Sequence, residues 1–143
     1  MPTIEHGTAQ DTAQVQTALL ASLRAGQAQG HNSELVLVVR GPEPPHALQA
    51  GLTGGTAYGW LLIKTLWVHD PLRGQGIGKA LLDAAEREAR ARGCHAAWLD
   101  TSSRNARRFY ERQGYAVFGE LANGPAAQPS DHTRWFLRKS LTV

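Results

Sequence analysis

Apolar positions recur along the chain at two spacings, four residues in some stretches and one or two in others, and the alternation of the two predicts an α/β order. Val15, Leu19 and Leu23 stand four apart, which predicts a first helix capped by Asp11 and running to about Ala28. Leu35-Val36-Leu37-Val38-Val39 is a short continuous apolar run, read as a strand buried on both faces, and Gly41-Pro42-Glu43-Pro44-Pro45 is a turn. A second strand starts near Ala47. Gly51, Gly54, Gly55 and Gly59 interrupt it, which implies bulges or close backbone approach. The run Trp60 to His69 is rich in branched and aromatic residues and reads as a strand that Asp70-Pro71 ends.

A longer helix follows, with Ile77, Ala80, Leu81, Ala84, Ala85 and Ala89 on one face. Asp83 and Arg87, Glu86 and Arg90, and Glu88 and Arg92 form i,i+4 pairs on its polar side, and Gly93 stops it. His95 to Thr101 predicts another strand, Arg104 to Gln113 a shorter helix, and Tyr115–Gly119 and Arg134–Arg138 two final antiparallel strands. Asn123-Gly124-Pro125 and Pro129-Ser130-Asp131 mark a surface loop between these last two.

Between the strand at Trp60 and the long helix lies Arg73-Gly74-Gln75-Gly76-Ile77-Gly78-Lys79. Alternate glycines let successive N–H groups point into one concavity, and a helix N-terminus adds partial positive charge, so an anion is expected there. A Walker A loop needs four residues between its first glycine and Gly-Lys, then Ser or Thr; here three separate Gly74 from Gly78-Lys79, and Ala80 follows. A dinucleotide fingerprint from Gly74 would need glycine where Lys79 stands.

The remaining pattern, Arg-x-x-Gly-x-Gly, resembles the acetyl-CoA loop of the GNAT N-acetyltransferase superfamily. Leu66-Trp67-Val68-His69-Asp70-Pro71 resembles the strand and turn before that loop, Trp98-Leu99-Asp100-Thr101 the next strand, and Ala106 to Tyr115 the later helix with its Tyr-x-x-x-Gly-aromatic ending. The resemblance implies a GNAT α/β fold: a mixed central sheet of about six to seven strands, splayed between the fourth and fifth, with about four helices around it. It also implies transfer of an acetyl group from acetyl-CoA to a primary amine by direct attack. By motif position, Gly74, Gln75, Gly76, Ile77, Gly78 and Lys79 would bind the pyrophosphate, and Leu66, Trp67 and Val68 the pantetheine arm. Arg73 either joins them or bonds backbone carbonyls. Ser103 stands where the family often has an asparagine on the cofactor arm, with Asn105 two residues on; neither is singled out. Tyr110 matches the tyrosine that protonates the leaving thiolate, though its spacing beside Phe109 also suits an aromatic core residue. Asp100 stands where some relatives carry a general base, with His69, Glu120 and water as rivals.

Composition narrows the setting. The 143 residues suit one domain, and 15 Lys and Arg against 12 Asp and Glu leave a charge of +3, compatible with an anionic ligand or a nucleic acid but too small to imply either. Arg104, Arg107, Arg108 and Arg112 cluster without the interleaved aromatics of a stacking surface. The six histidines lack metal-ligand spacing, so no metal is expected. The single cysteine, Cys94, excludes an internal disulfide and reads as a small buried thiol. No apolar run approaches the ~18 residues of a membrane span, and the start of the chain lacks a signal-peptide core, so a cytoplasmic setting is expected. The acceptor, a small molecule or a peptide N-terminus, is left open. The resemblance also suggests a homodimer. Two other readings predict different behaviour: a GNAT-shaped module that binds CoA without turnover, and a basic nucleic-acid binder whose affinity collapses with salt.

Overall fold

In the computed structural model, residues 2–26 and 33–142 are described. The chain divides into two compact units, Met1–Gly30 and His31–Val143.

The first unit is a helix, α1 (Ala9–Gly26). Its start is a reciprocal cap: the Thr8 N–H donates to Asp11 Oδ2 at 2.8 Å and the Asp11 N–H donates to Thr8 Oγ1 at 3.2 Å. Thr8 is therefore the cap and Asp11 its partner three residues on, which corrects the expectation that Asp11 itself caps the helix. The expected end near Ala28 lies outside the described residues.

The second unit is a six-stranded mixed sheet in the order β1-β2-β3-β4-β6-β5, built from β1 (Ser33–Arg40), β2 (Leu48–Ala57), β3 (Trp60–Val68), β4 (Ala96–Thr101), β5 (Ala116–Ala122) and β6 (Thr133–Ser140). Two helices join them: α2 (Ile77–Ala91) and α3 (Arg104–Arg112), with a short 3₁₀ turn at Asp70–Leu72. Only the β3–β4 pairing is parallel; the rest are antiparallel.

The strand β1 is half-buried. Leu35 is inside, while Val36 and Val38 are 59% and 46% exposed, so the continuous apolar run does not sit between two layers. It is an edge strand, paired to β2 alone, with α2 on one face. Tyr58 and Gly59 turn β2 into β3 with φ of 53° and 82°, the two left-handed positions of a type I′ hairpin. The ladder slips between Thr53 and Gly54, and a Cβ on Gly54 would run into the Leu62 carbonyl oxygen. That glycine is needed for close approach of two backbones.

Leu35, Ala50, Leu52, Leu61, Ile63 and Leu99 from the sheet meet Leu81, Leu82, Ala85 and Ala89 from α2 in one core. Each fully buried leucine contributes roughly 2 kcal/mol. The buried face of α2 is turned from the one expected: Leu82 and Glu86 face inward, while Ala80 is exposed and Ala84 half-exposed. Glu88–Arg92 forms as expected at 3.0 Å, but Asp83 pairs with Lys79 at 2.8 Å, and Glu86 turns into the core instead of pairing with Arg90.

One departure from regularity positions a cleft. The strands β3 and β4 pair at only three rungs, Trp60↔Ala96, Leu61↔Ala97 and Leu62↔Trp98, after which they part. This is the expected splay. It lies between the third and fourth strands because the described residues before α1 form no strand.

Candidate functional site

From the splay the chain leaves β3 through a loop that folds on itself. The Leu72 N–H donates to the His69 carbonyl at 2.8 Å, and Arg73 N–H to the Asp70 carbonyl at 3.1 Å. The Arg73 side chain closes the same loop: its Nε donates to the Val68 carbonyl at 3.1 Å and its Nη2 meets Asp70 Oδ1 at 3.0 Å. Arg73 thus bonds a backbone carbonyl, one of the two roles open to it.

Gly74 and Gly76 hold φ of 82° and 80°, with open space where a Cβ would be. Their need for glycine is conformational rather than steric. Gly76 then serves as the left-handed N-cap of α2 with no side-chain cap. The first helical bond across the cap is Ala80 N–H to the Gly76 carbonyl at 3.0 Å, so among the described residues the N–H groups of Ile77, Gly78 and Lys79 have no acceptor. Three orphan donors at a helix N-terminus form an anion cradle. A Cβ on Gly78 would lie 3.6 Å from Phe109 Cζ and 3.8 Å from Val68 Cγ2, so its absence leaves room between those two side chains.

The edge of β3 continues this surface. His69 N–H donates to the Gln49 carbonyl at 2.8 Å, toward β2. By antiparallel alternation the polar groups of Val68 and Leu66 face the other way, into the splay.

These elements surround a cleft of about 610 Å³. Leu66, Val68, Arg73, Gly74, Gly76, Ile77, Gly78 and Lys79 form one wall; Ser103, Asn105 and Tyr110 stand on the other. All eleven are residues expected from the sequence. Three others lie apart from it. Trp67 is 43% exposed on the opposite strand face, Gln75 is exposed at the loop tip and does not line the cleft, and Asp100 points away from its buried neighbour Leu99 to bond Arg134 Nη2 at 2.9 Å. That bond raises the Arg134 pKa further above its ordinary value. Ser103 is the N-cap of α3, its Oγ accepting from the Ala106 N–H at 3.1 Å.

Leu72, Ala106 and Phe109 also line the cleft and were not expected there, and Arg112 of the arginine cluster joins them. Asn105, Phe109 and Arg112 recur at helical spacing on α3, a signal open to view once Tyr110 is placed beside them.

The hydroxyl of Tyr110 makes no hydrogen bond among the described residues. No buried side-chain oxygen there lacks a partner, so this hydroxyl reaches the cleft although the residue is 6% exposed. Its ring stands edge-on between Phe109, at 5.1 Å, and Tyr115, at 5.6 Å. Burial pushes the phenol up to about 12. Cys94 is buried away from the cleft, and burial raises its thiol pKa against the opposing charge of Arg92.

A smaller apolar hollow on the other side of the sheet, about 500 Å³ and lined by Trp60, Leu62, Lys64 and Trp98, carries none of the expected residues. No group of three or more potential metal-ligating side chains, and no helix long and apolar enough to cross a membrane, occurs among the described residues.

A splayed sheet, a glycine loop with free N–H groups and a buried tyrosine open to the cleft define an α/β protein with a candidate site at a strand-to-helix junction. Known proteins carry the identification further. The model of the acetyltransferase (GNAT) family matches residues 24–115. The chain is 47% identical over 76 residues to acetyltransferase Atu2258 of Agrobacterium fabrum, covering 53% of this chain and 56% of that one. It is 49% identical over 55 residues to the aminoalkylphosphonate N-acetyltransferase of Salmonella typhimurium, covering 37% and 36%. The matched stretches thus span about half the length, or less, of these curated relatives. A crystal structure of an Agrobacterium tumefaciens protein superposes with a TM-score of 0.82 at 34% identity over 98% of both chains. The chain belongs to the GNAT acetyltransferase family.

Proposed function

We propose that this chain is an acetyl-CoA-dependent N-acetyltransferase. The observation that carries the reading is the set of orphan N–H groups on Ile77, Gly78 and Lys79 at one end of a cleft whose other wall holds the Tyr110 hydroxyl. The donors suit a pyrophosphate, with Gly74, Gln75 and Gly76 turning the backbone around it and Arg112 adding charge from α3. The gap left at Gly78 suits passage of the chain that follows. Leu66 and the Val68 N–H offer the free part of the β3 edge to the pantetheine arm, as an added strand would meet it. The Val68 N–H is assigned to the thioester carbonyl oxygen, where a fixed donor counters developing negative charge. When bound, acetyl-CoA supplies a carbonyl carbon open to an amine.

The name of the Salmonella relative supports nitrogen as the acceptor atom. The acceptor's proton leaves to water, since Asp100 lies apart from the cleft and is paired with Arg134. Tyr110, held protonated throughout the neutral range, donates to the sulfur as the C–S bond breaks. Ahead of cleavage the sulfur is that of an intact thioester, far less basic than a thiolate, so full transfer at that stage would be strongly uphill. The proton therefore moves with bond breaking. In balance, the amine nitrogen loses one proton and gains the acetyl carbon, and the CoA sulfur gains one proton.

Thiol release from acetyl-CoA over a panel of primary amines tests this. At least one amine should release CoA faster than hydrolysis, and Tyr110→Phe should slow that release by about a hundredfold. Saturable acetyl-CoA binding with no turnover on any amine would replace the enzyme by a CoA-binding module.

A further inference from the structure

We infer that Tyr115 and Glu86 are positioning residues that aim the ring of Tyr110 into the cleft, an assignment that rests on the acid role proposed for Tyr110. Because no hydrogen bond holds the Tyr110 hydroxyl, packing sets its direction, and the edge-on contacts with Phe109 and Tyr115 are the oriented part of that packing. One of the two rings that do so, Tyr115, is itself tied down at both ends. Its backbone N–H donates to the Tyr110 carbonyl at 3.0 Å, across a turn made by Gly114 at φ 96°. Its hydroxyl donates to Glu86 Oε2 at 2.8 Å. Glu86 is 3% exposed, and its other oxygen accepts from Lys139 Nζ at 2.8 Å. The Lys139 ammonium also lies 5.6 Å from the centre of the Tyr115 ring.

A buried carboxylate is costly, and an apolar trio of similar volume often packs as well or better. Stability alone therefore gives a weak reason for this arrangement. Direction gives a stronger one. With each carboxylate oxygen taken by a different donor, Glu86 from α2 and Lys139 from β6 hold the Tyr115 hydroxyl at one point. The ring plane of Tyr115 follows, and the edge-on contact at 70° passes that plane to Tyr110.

Tyr115→Phe keeps the ring and removes only the bond to Glu86, while Glu86→Gln keeps the shape and an acceptor oxygen. Each should lower kcat about tenfold through a misaimed donor, leaving the calorimetric acetyl-CoA affinity within about twofold of wild type. In a Tyr110→Phe background, neither change should lower kcat further, because nothing remains to aim. Wild-type kcat in both variants would overturn the inference. So would an equal loss in both backgrounds, which marks general damage to the fold. If Tyr110→Phe alone keeps wild-type kcat, the acid role fails and this inference falls with it, an outcome read from that single variant.

Discussion

At the scale of single residues, burial explains most of what the sequence left hidden. Glu86 reads as a surface charge with Arg90 four residues on, and only its place in the stripe Leu82, Glu86, Ala89 argues otherwise. The structure seats it against Tyr115 and Lys139, partners 29 and 53 residues away, which no local spacing could reveal. Glu86→Ala should cost about 3 kcal/mol, since it strands a half-buried ammonium, and a chemical-denaturation midpoint checks it. The two buried phenols also set a pH limit. Burial raises Tyr110 in the folded state to about 12, above its unfolded value of 10, and raises Tyr115 in the same direction. A group raised on folding stabilises fully below its unfolded pKa. The Tyr110 contribution of about 3 kcal/mol should accordingly be intact at pH 9 and fade as pH climbs from about 10 to 12. Denaturation midpoints at pH 9 and 11.5 should differ in that sense in wild type, and less in Tyr110→Phe.

Among the elements, strands and helices were legible wherever the period was clean and a stop residue was present. Trp60 to Asp70, the glycine loop and the helix ending at Gly93 came through nearly to the residue, because each boundary carries a residue with one conformational use. The strand β1 did not, since a continuous apolar run says nothing about how many layers cover it. The loop's place was readable in the same way: eight of the expected residues form one wall of the cleft because strand, loop and helix are contiguous in sequence. Trp67 and Asp100 fell on the other face because side chains on a strand alternate, so naming consecutive residues must misplace every second one. Gly78 separates folding from binding at this scale. Gly78→Ala meets only ordinary contacts and removes a glycine from the first turn of α2, so the empty protein should gain up to about 1 kcal/mol. The added methyl fills the space beside Phe109 and Val68. Acetyl-CoA affinity should fall even as the melting temperature rises, a pair of shifts that calorimetry and thermal denaturation read separately.

Across the whole molecule, the α/β order and the mixed sheet follow from the sequence pattern, whereas the strand order does not. The final strand β6 inserts between β4 and β5, a choice made by long-range pairing. The parting of β3 from β4 is likewise a property of the sheet. It leaves a strand edge and a helix N-terminus unsatisfied beside one another, and a ligand with an amide chain and a pyrophosphate answers both. Calorimetric titration of acetyl-CoA into the wild-type protein tests that claim most directly. The account predicts saturable one-to-one binding that weakens with added salt as the cradle's charge is screened. Absence of any binding at millimolar acetyl-CoA would contradict it.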